Sequence, residues 1–127
     1  MTFVLGAKSL ERLKGVHPDL VAVVKRAIAL TDIDFTVTEG LRTRERQAEL
    51  VRAGASQTMK SRHITGHAVD LAALVGGEVR WDWPLYAKLA TAMKAAALQI
   101  NVPLEWGGDW KTLKDGPHFQ LPWSEYP

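Results

Sequence analysis

Apolar residues recur at helical spacing early in the chain, where Leu20, Val21, Val24 and Ile28 follow Pro18. The spacing predicts a helix from Pro18 to about Leu30, with the proline in its first turn. Ahead of it, Ser9 as a cap and Gly15 as a stop predict a short helix from Leu10 to about Lys14. Both helices read as elements packed on the core. Alternation then replaces helical spacing: Phe35, Val37 and Glu39 alternate with Thr36 and Thr38, which predicts a strand ending at Gly40. Thr43 can cap a helix running through Ala53, with Ala48 and Val51 among its buried positions and Gly54 as its stop.

After a polar stretch over 55–62, read as a loop, the run Ala68 to Val75 is apolar except for Asp70, which fits a buried strand that stops at Gly76 and Gly77. A short paired strand, Glu78 to Trp81, should follow that turn. Asp82 as cap and Pro84 in the first turn then open the longest helix, to about Gln99, with Leu85, Leu89, Met93, Ala96 and Ile100 along one stripe. Asn101 and Pro103 end it. Leu104 to Trp106 reads as a strand, and a glycine-rich loop leads to a return strand from about His118 to Leu121.

The length, 127 residues, fits one domain spanning the whole chain, large enough to hold a core without staples. With no cysteine, neither disulfides nor thiolate metal sites can form, so a metal would have to be held by histidine and carboxylate. The longest apolar runs, such as Val21 to Val24 and Ala95 to Leu98, are far shorter than a membrane span, and the N-terminus lacks a basic region followed by a long apolar stretch. The expectation is a chain made in the cytoplasm with no integral membrane segment. Residues 1–62 carry eleven basic and seven acidic side chains, residues 63–127 five and seven. The basic half suits an anionic polymer or a solvated surface, but no run of consecutive basic residues longer than the pair Lys25-Arg26 and no nucleic-acid reader motif is present.

Candidate chemistry is concentrated in SRHITGHAVD, Ser61 to Asp70, and DGPHFQ, Asp115 to Gln120. His63, Asp70 and His118 have the ligand chemistry of a catalytic Zn²⁺ site, three protein ligands with one position left for water. An acid inside an apolar strand also needs a partner, and a metal ion would be a good one. Spacing alone does not separate such a site from chance. His67 lies four residues after His63, the ligand spacing on a helix, but Gly66 intervenes, the run leads into a strand and the glutamate of a helical zinc motif is absent. It reads as a residue of the cleft or its surroundings. His17, just before Pro18, reads as a surface residue in a turn.

SRHITGHAVD resembles the S-x-H-x-x-G-x-A-x-D signature of the zinc D-alanyl-D-alanine carboxypeptidase and L-alanyl-D-glutamate endopeptidase family, matching it at Ser61, His63, Gly66, Ala68 and Asp70. TEGLRTRERQ, Thr38 to Gln47, looks like that family's arginine-bearing strand-to-helix segment, and WGGDWKTLKDGPHFQL, Trp106 to Leu121, looks like its closing segment. The resemblance implies an α+β fold, a small antiparallel sheet flanked by helices, of the type shared by lysostaphin-like peptidases, D-Ala-D-Ala peptidases and the hedgehog amino-terminal domain. It implies Zn²⁺ on His63, Asp70 and His118, with Asp115 as the base. Arg42 would contact substrate or stabilise the developing oxyanion, and Ser61 would bind substrate. On residues alone, Asp115 is equally a turn residue in Asp-Gly-Pro, Arg42 is one of three nearby surface arginines, and Ser61 is a hydroxyl on a loop rim. Asp109 is the competing acid, and in the family's pattern it falls in a structural element. Trp106 and Trp110 can line a cleft or fill a core.

The activity implied is hydrolysis of peptidoglycan stem peptides between L-alanine and D-glutamate, in the manner of a phage endolysin. Such an enzyme would be made in the host cytoplasm as a monomer and act on the periplasmic wall after release. A D-alanyl-D-alanine carboxypeptidase and a non-catalytic wall-binding module of the same fold are the alternatives.

Overall fold

A computed structural model describes residues 2–56 and 58–127. Four helices, α1 (Ala7–Arg12), α2 (Pro18–Leu30), α3 (Arg44–Arg52) and α4 (Trp83–Gln99), combine with five strands, β1 (Asp34–Glu39), β2 (Ala68–Val75), β3 (Glu78–Arg80), β4 (Glu105–Trp106) and β5 (His118–Gln120). The strands form one antiparallel sheet in the order β1-β2-β5-β4, and β3 pairs with the far end of β2. This is the α+β arrangement expected from the sequence.

Strand alternation sorts the sheet into two faces. Phe35, Val37, Val69, Leu71, Ala73 and Phe119 point to one side and join buried residues of α2 and α4, such as Leu20, Val24, Leu89 and Met93, in the hydrophobic core. Within α2 the buried stripe is Leu20, Val23, Val24, Ala27 and Ile28, so Val21 sits at the stripe's edge instead of inside it. Four alanines of α4, Ala90, Ala92, Ala96 and Ala97, are buried and keep that helix close to its neighbours.

Several local expectations are corrected. The first helix begins earlier than Ser9 suggests, with Gly6 at its cap. Ser9 is buried inside it, its hydroxyl accepting from Val37 N–H at 2.9 Å and meeting the Thr36 hydroxyl at 3.0 Å. Ser9 therefore ties α1 to β1 and caps nothing. In α3 the buried residue is Gln47, while Ala48 and Val51 are half-buried, because the Gln47 amide is tied to Arg42, Ser56 and the Thr58 carbonyl. Its cap is as read, with Thr43 accepting from Arg46 N–H at 3.1 Å. Asp82 flanks α4 without capping it by side chain and pairs with Arg80 at 2.6 Å.

The most consequential departure is in β1. Val37 pairs with Leu71 and the next registered pair is Glu39 with Asp70, which leaves Thr38 as an extra residue, a β-bulge. Unbroken alternation would put Glu39 on the core face with Phe35 and Val37. The bulge turns it to the opposite face, beside Asp70.

Candidate functional site

The face of the sheet opposite the core carries a row of three residues across three strands: Glu39 on β1, Asp70 on β2 and His118 on β5, each directly opposite the next. His63 reaches the same point from the turn between α3 and β2. That turn is held to the end of β1 by Arg42 N–H donating to the His63 carbonyl at 2.9 Å.

His63 Nε2 and His118 Nδ1 each lie 3.2 Å from Asp70 Oδ1, and the three ligating atoms fall within 4.8 Å of one another. The outer ring nitrogens are occupied. His63 Nδ1 faces the Gly40 carbonyl at 2.8 Å and His118 Nε2 faces Gln120 Oε1 at 2.7 Å. Each outer nitrogen therefore donates, so a neutral ring aims an unprotonated nitrogen at Asp70, and a ring that has gained a second proton aims an N–H at it. Two lone pairs and a carboxylate oxygen converging on one point repel each other unless a cation sits among them. The group has the chemistry of a metal site and could hold one ion.

Gly40 makes the His63 contact possible. A side chain there would collide with the Arg12 carbonyl and crowd Val16, so the strand end could not stay where its own carbonyl meets His63. Gly40→Ala is expected to cost roughly 1–3 kcal/mol and to weaken metal binding together with stability. Thermal unfolding with and without added metal checks both.

Without a metal, burial opposes ionisation of Asp70, but hydrogen bonds from His118 and His63 in their protonated form, and the charge of those rings, outweigh it and hold its carboxyl well below the usual carboxylate range. Asp115 shows the reverse. Burial and the nearby charge of Asp70 push its carboxyl up, against the pull of His118, His63 and Arg42. Its loop is pinned on both sides, with Asp115 N–H donating to the Gly107 carbonyl at 3.0 Å and Trp106 Nε1 to the Gly116 carbonyl at 2.7 Å.

Arg42 spans the row. Its guanidinium grips both oxygens of Glu39, at 2.6 and 2.7 Å, donates to Gln47 Oε1 at 2.7 Å and lies 4.0 Å from Asp70 Oδ2. Burial disfavours its charge, yet Glu39 first, then Asp70 and Asp115, keep its pKa above that of an ordinary arginine. Three of its donors are committed, and the remaining ones are available to a ligand.

All six residues singled out from the sequence, Arg42, Ser61, His63, Asp70, Asp115 and His118, line one cleft of about 520 Å³, with Ala55, Ser56, Thr58 and Lys60 on its rim; Gln57, in the stretch read as a loop, lies outside the described residues. Ser61 is not in an extended run with His63. It stands at the start of a turn, its hydroxyl accepting from His63 N–H at 3.2 Å. Trp110 lines the cleft, its ring 5.3 Å from that of His118, whereas Trp106 is buried and stacks on Phe119 in the core. Asp109 is outside the cleft, paired with Lys94 at 2.7 Å.

His67 is not a cleft residue. Its ring packs against His17 and Tyr126, and Nδ1 meets the Thr65 hydroxyl at 2.7 Å. Burial, Arg62 and His17 lower its pKa. His17 is half-buried and caps α2, its Nδ1 accepting from Asp19 N–H at 3.1 Å.

Sequence reasoning missed Glu39, Gln47 and Gln120, the polar partners behind Arg42 and His118. Gln120 carried a usable signal, since it lies two residues after His118 on the same strand face. Arg62, buried beside His63, was also missed. Its guanidinium binds the carbonyls of Leu121 and Tyr126 and lies 3.9 Å from the Trp123 ring.

Among the described residues, no helix is long and apolar enough to cross a membrane. Residues 1–121 match the family model described as phage L-alanyl-D-glutamate peptidase. The L-alanyl-D-glutamate peptidase of Escherichia phage T5 is 34% identical over 119 residues, covering 91% of this chain and 87% of that protein. The crystal structure of the Serratia marcescens L-Ala D-Glu endopeptidase ChiX is 54% identical with a TM-score of 0.93, covering 98% of this chain and 94% of that one. The D,D-dipeptidase VanXYg is similar in fold alone, with a TM-score of 0.55 at 17% identity over 84% of this chain and 50% of that one. A match over nearly the whole length, in sequence and in backbone, has one reading: the chain belongs to the phage L-alanyl-D-glutamate peptidase family.

Proposed function

We propose that this chain is a zinc-dependent peptidoglycan peptidase that hydrolyses the bond between L-alanine and D-glutamate in the stem peptide. The observation that carries the reading is the convergence of His63 Nε2, Asp70 Oδ1 and His118 Nδ1 on one point of a cleft that also holds Asp115, in a chain whose relatives are L-alanyl-D-glutamate peptidases. Nitrogen and oxygen ligands 3.2 Å apart agree with the roughly 3.3 Å between ligands of a tetrahedral zinc whose bonds are about 2.0–2.1 Å. Bound there, Zn²⁺ would supply Lewis-acid polarisation of the scissile carbonyl and bring the pKa of a water close to neutral.

The remaining steps belong to the protein. Asp115, whose carboxyl is pushed up by burial and by Asp70, takes the proton of the attacking water and returns it to the leaving amine of D-glutamate. Arg42 neutralises the Glu39–Asp70 pair and offers its uncommitted N–H groups to the carbonyl oxygen as negative charge develops on it. Ser61, on the cleft wall, binds the peptide. The single chain acts as a monomer on the periplasmic wall after release from the cytoplasm, in the manner of an endolysin.

The deciding measurement is a mass spectrum of soluble products released from purified Gram-negative sacculi, with a chelated sample beside it. Free stem peptides beginning at D-glutamate, absent after chelation, are expected. Loss of terminal D-alanine alone would make the protein a carboxypeptidase, and no product would make it a binding module. Arg42→Lys keeps the charge but not the two-pronged grip on Glu39. It is expected to lower kcat/KM by roughly 10–100-fold, the scale for losing a partner behind a metal ligand, with zinc content unchanged. Steady-state kinetics beside metal analysis checks it.

A further inference from the structure

Of the two histidines, His118 has the less backbone support, since its outer nitrogen is met by a side-chain amide and not by a carbonyl of the main chain. An amide is ambiguous. Turned one way Gln120 presents Oε1 to His118, and turned the other way it presents NH₂. In the second orientation His118 Nε2 would have to accept, the ring proton would move to Nδ1, and the nitrogen facing Asp70 could no longer ligate. Something has to choose.

Glu105 on β4 stands directly opposite Gln120 on β5. Gln120 Nε2 donates to Glu105 Oε2 at 3.3 Å, and Trp110 Nε1 donates to the same oxygen at 2.8 Å. A carboxylate can only accept, so it admits the NH₂ end of the amide and turns the oxygen toward His118, at 2.7 Å. Trp110 fixes the carboxylate in turn. Gln120 is buried, which limits the competition of bulk water for the amide.

We propose that Glu105 is a positioning residue that sets the His118 tautomer through the Gln120 amide, and so makes His118 Nδ1 a metal ligand. The relay runs Trp110, Glu105, Gln120, His118, and only its last member belongs to the candidate ligand set. It rests on the zinc-site reading given above.

The test compares the wild-type chain with Glu105→Ala and with the double variant Glu105→Ala/Gln120→Glu. A glutamate at 120 presents only acceptors to His118 and needs no partner to orient it. Zinc affinity is measured by competition with a chromophoric chelator, and the His118 tautomer by long-range ¹H–¹⁵N NMR of the zinc-loaded proteins. Thermal midpoints of the metal-free proteins report on the fold. Glu105→Ala is expected to bind zinc roughly 10–100-fold more weakly, and the double variant to regain most of that loss with the ¹⁵N pattern of an Nε2-protonated ring. Wild-type affinity in Glu105→Ala, or a loss that the double variant does not recover, would overturn the relay. A wild-type chain that takes up no zinc would overturn the metal site and the relay with it. The expected affinities in a protein that cuts no stem peptide would support the relay while overturning the proposed activity.

Discussion

Replacing Asp115 with asparagine is expected to lower kcat on stem peptides by about 10²–10⁴-fold, the usual contribution of a positioned general base, while zinc content stays at the wild-type level. The side chains are nearly the same shape, so what is lost is the ability to take a proton. Stability should move the other way. Burial and the Asp70 charge raise the folded-state pKa of Asp115, so ionising it is harder in the folded chain than in the unfolded one. That penalty is absent below the unfolded value of about 3.9 and fully present once pH exceeds the folded value. Near neutral pH the metal-free Asp115→Asn protein should therefore melt at or above the wild-type temperature. Unchanged turnover would exclude Asp115 as the base, and a fall in melting temperature alongside activity would trace the loss to the fold.

His118→Ala should reduce hydrolysis to the level of chelated wild type. It removes one of the three proposed ligands and one of the two histidines whose hydrogen bonds hold the Asp70 carboxyl below the ordinary range in the metal-free chain. An ion held there would also join elements far apart in sequence, the turn at His63, β2 and β5, so binding it should stabilise the fold. At a free zinc concentration about 100 times its dissociation constant the gain is about 2.7 kcal/mol. Chelation should then lower the wild-type melting temperature by several degrees and leave that of His118→Ala unchanged. Calorimetry with and without chelator, beside product analysis, checks both halves, and activity that survives in His118→Ala would exclude the metal mechanism.

The sequence made His63, Asp70 and His118 legible by residue identity within recognisable segments. Distance along the chain said little, because the adjacency of Asp70 and His118 is created by the β2–β5 register. Helix and strand extents followed closely from apolar periodicity where a face meets the core, as in α2, β2 and α4. Periodicity misled where a face meets the cleft. Gln47 occupies the buried position of α3 because its partners there are polar. Glu39 was hidden by the bulge at Thr38, since a count of alternate residues assigns it to the core. Ser9, a cap by residue type, proved to be a buried tie to β1. Caps and ties use the same hydroxyl, and only the position of β1 distinguishes them.

Arg62 adds a matter of timing. Its guanidinium is buried immediately before His63, and the carbonyls that satisfy it belong to Leu121 and Tyr126. A chain emerging from the ribosome exposes its N-terminal residues first. Until residues 121–126 are out, burying Arg62 would strand a charge without partners, so the His63 turn has reason to stay open. The last ligand, His118, arrives in the same interval. His118 and the carbonyls that satisfy Arg62 thus reach the folding chain together, so the candidate metal group and the burial of Arg62 would be completed in one step.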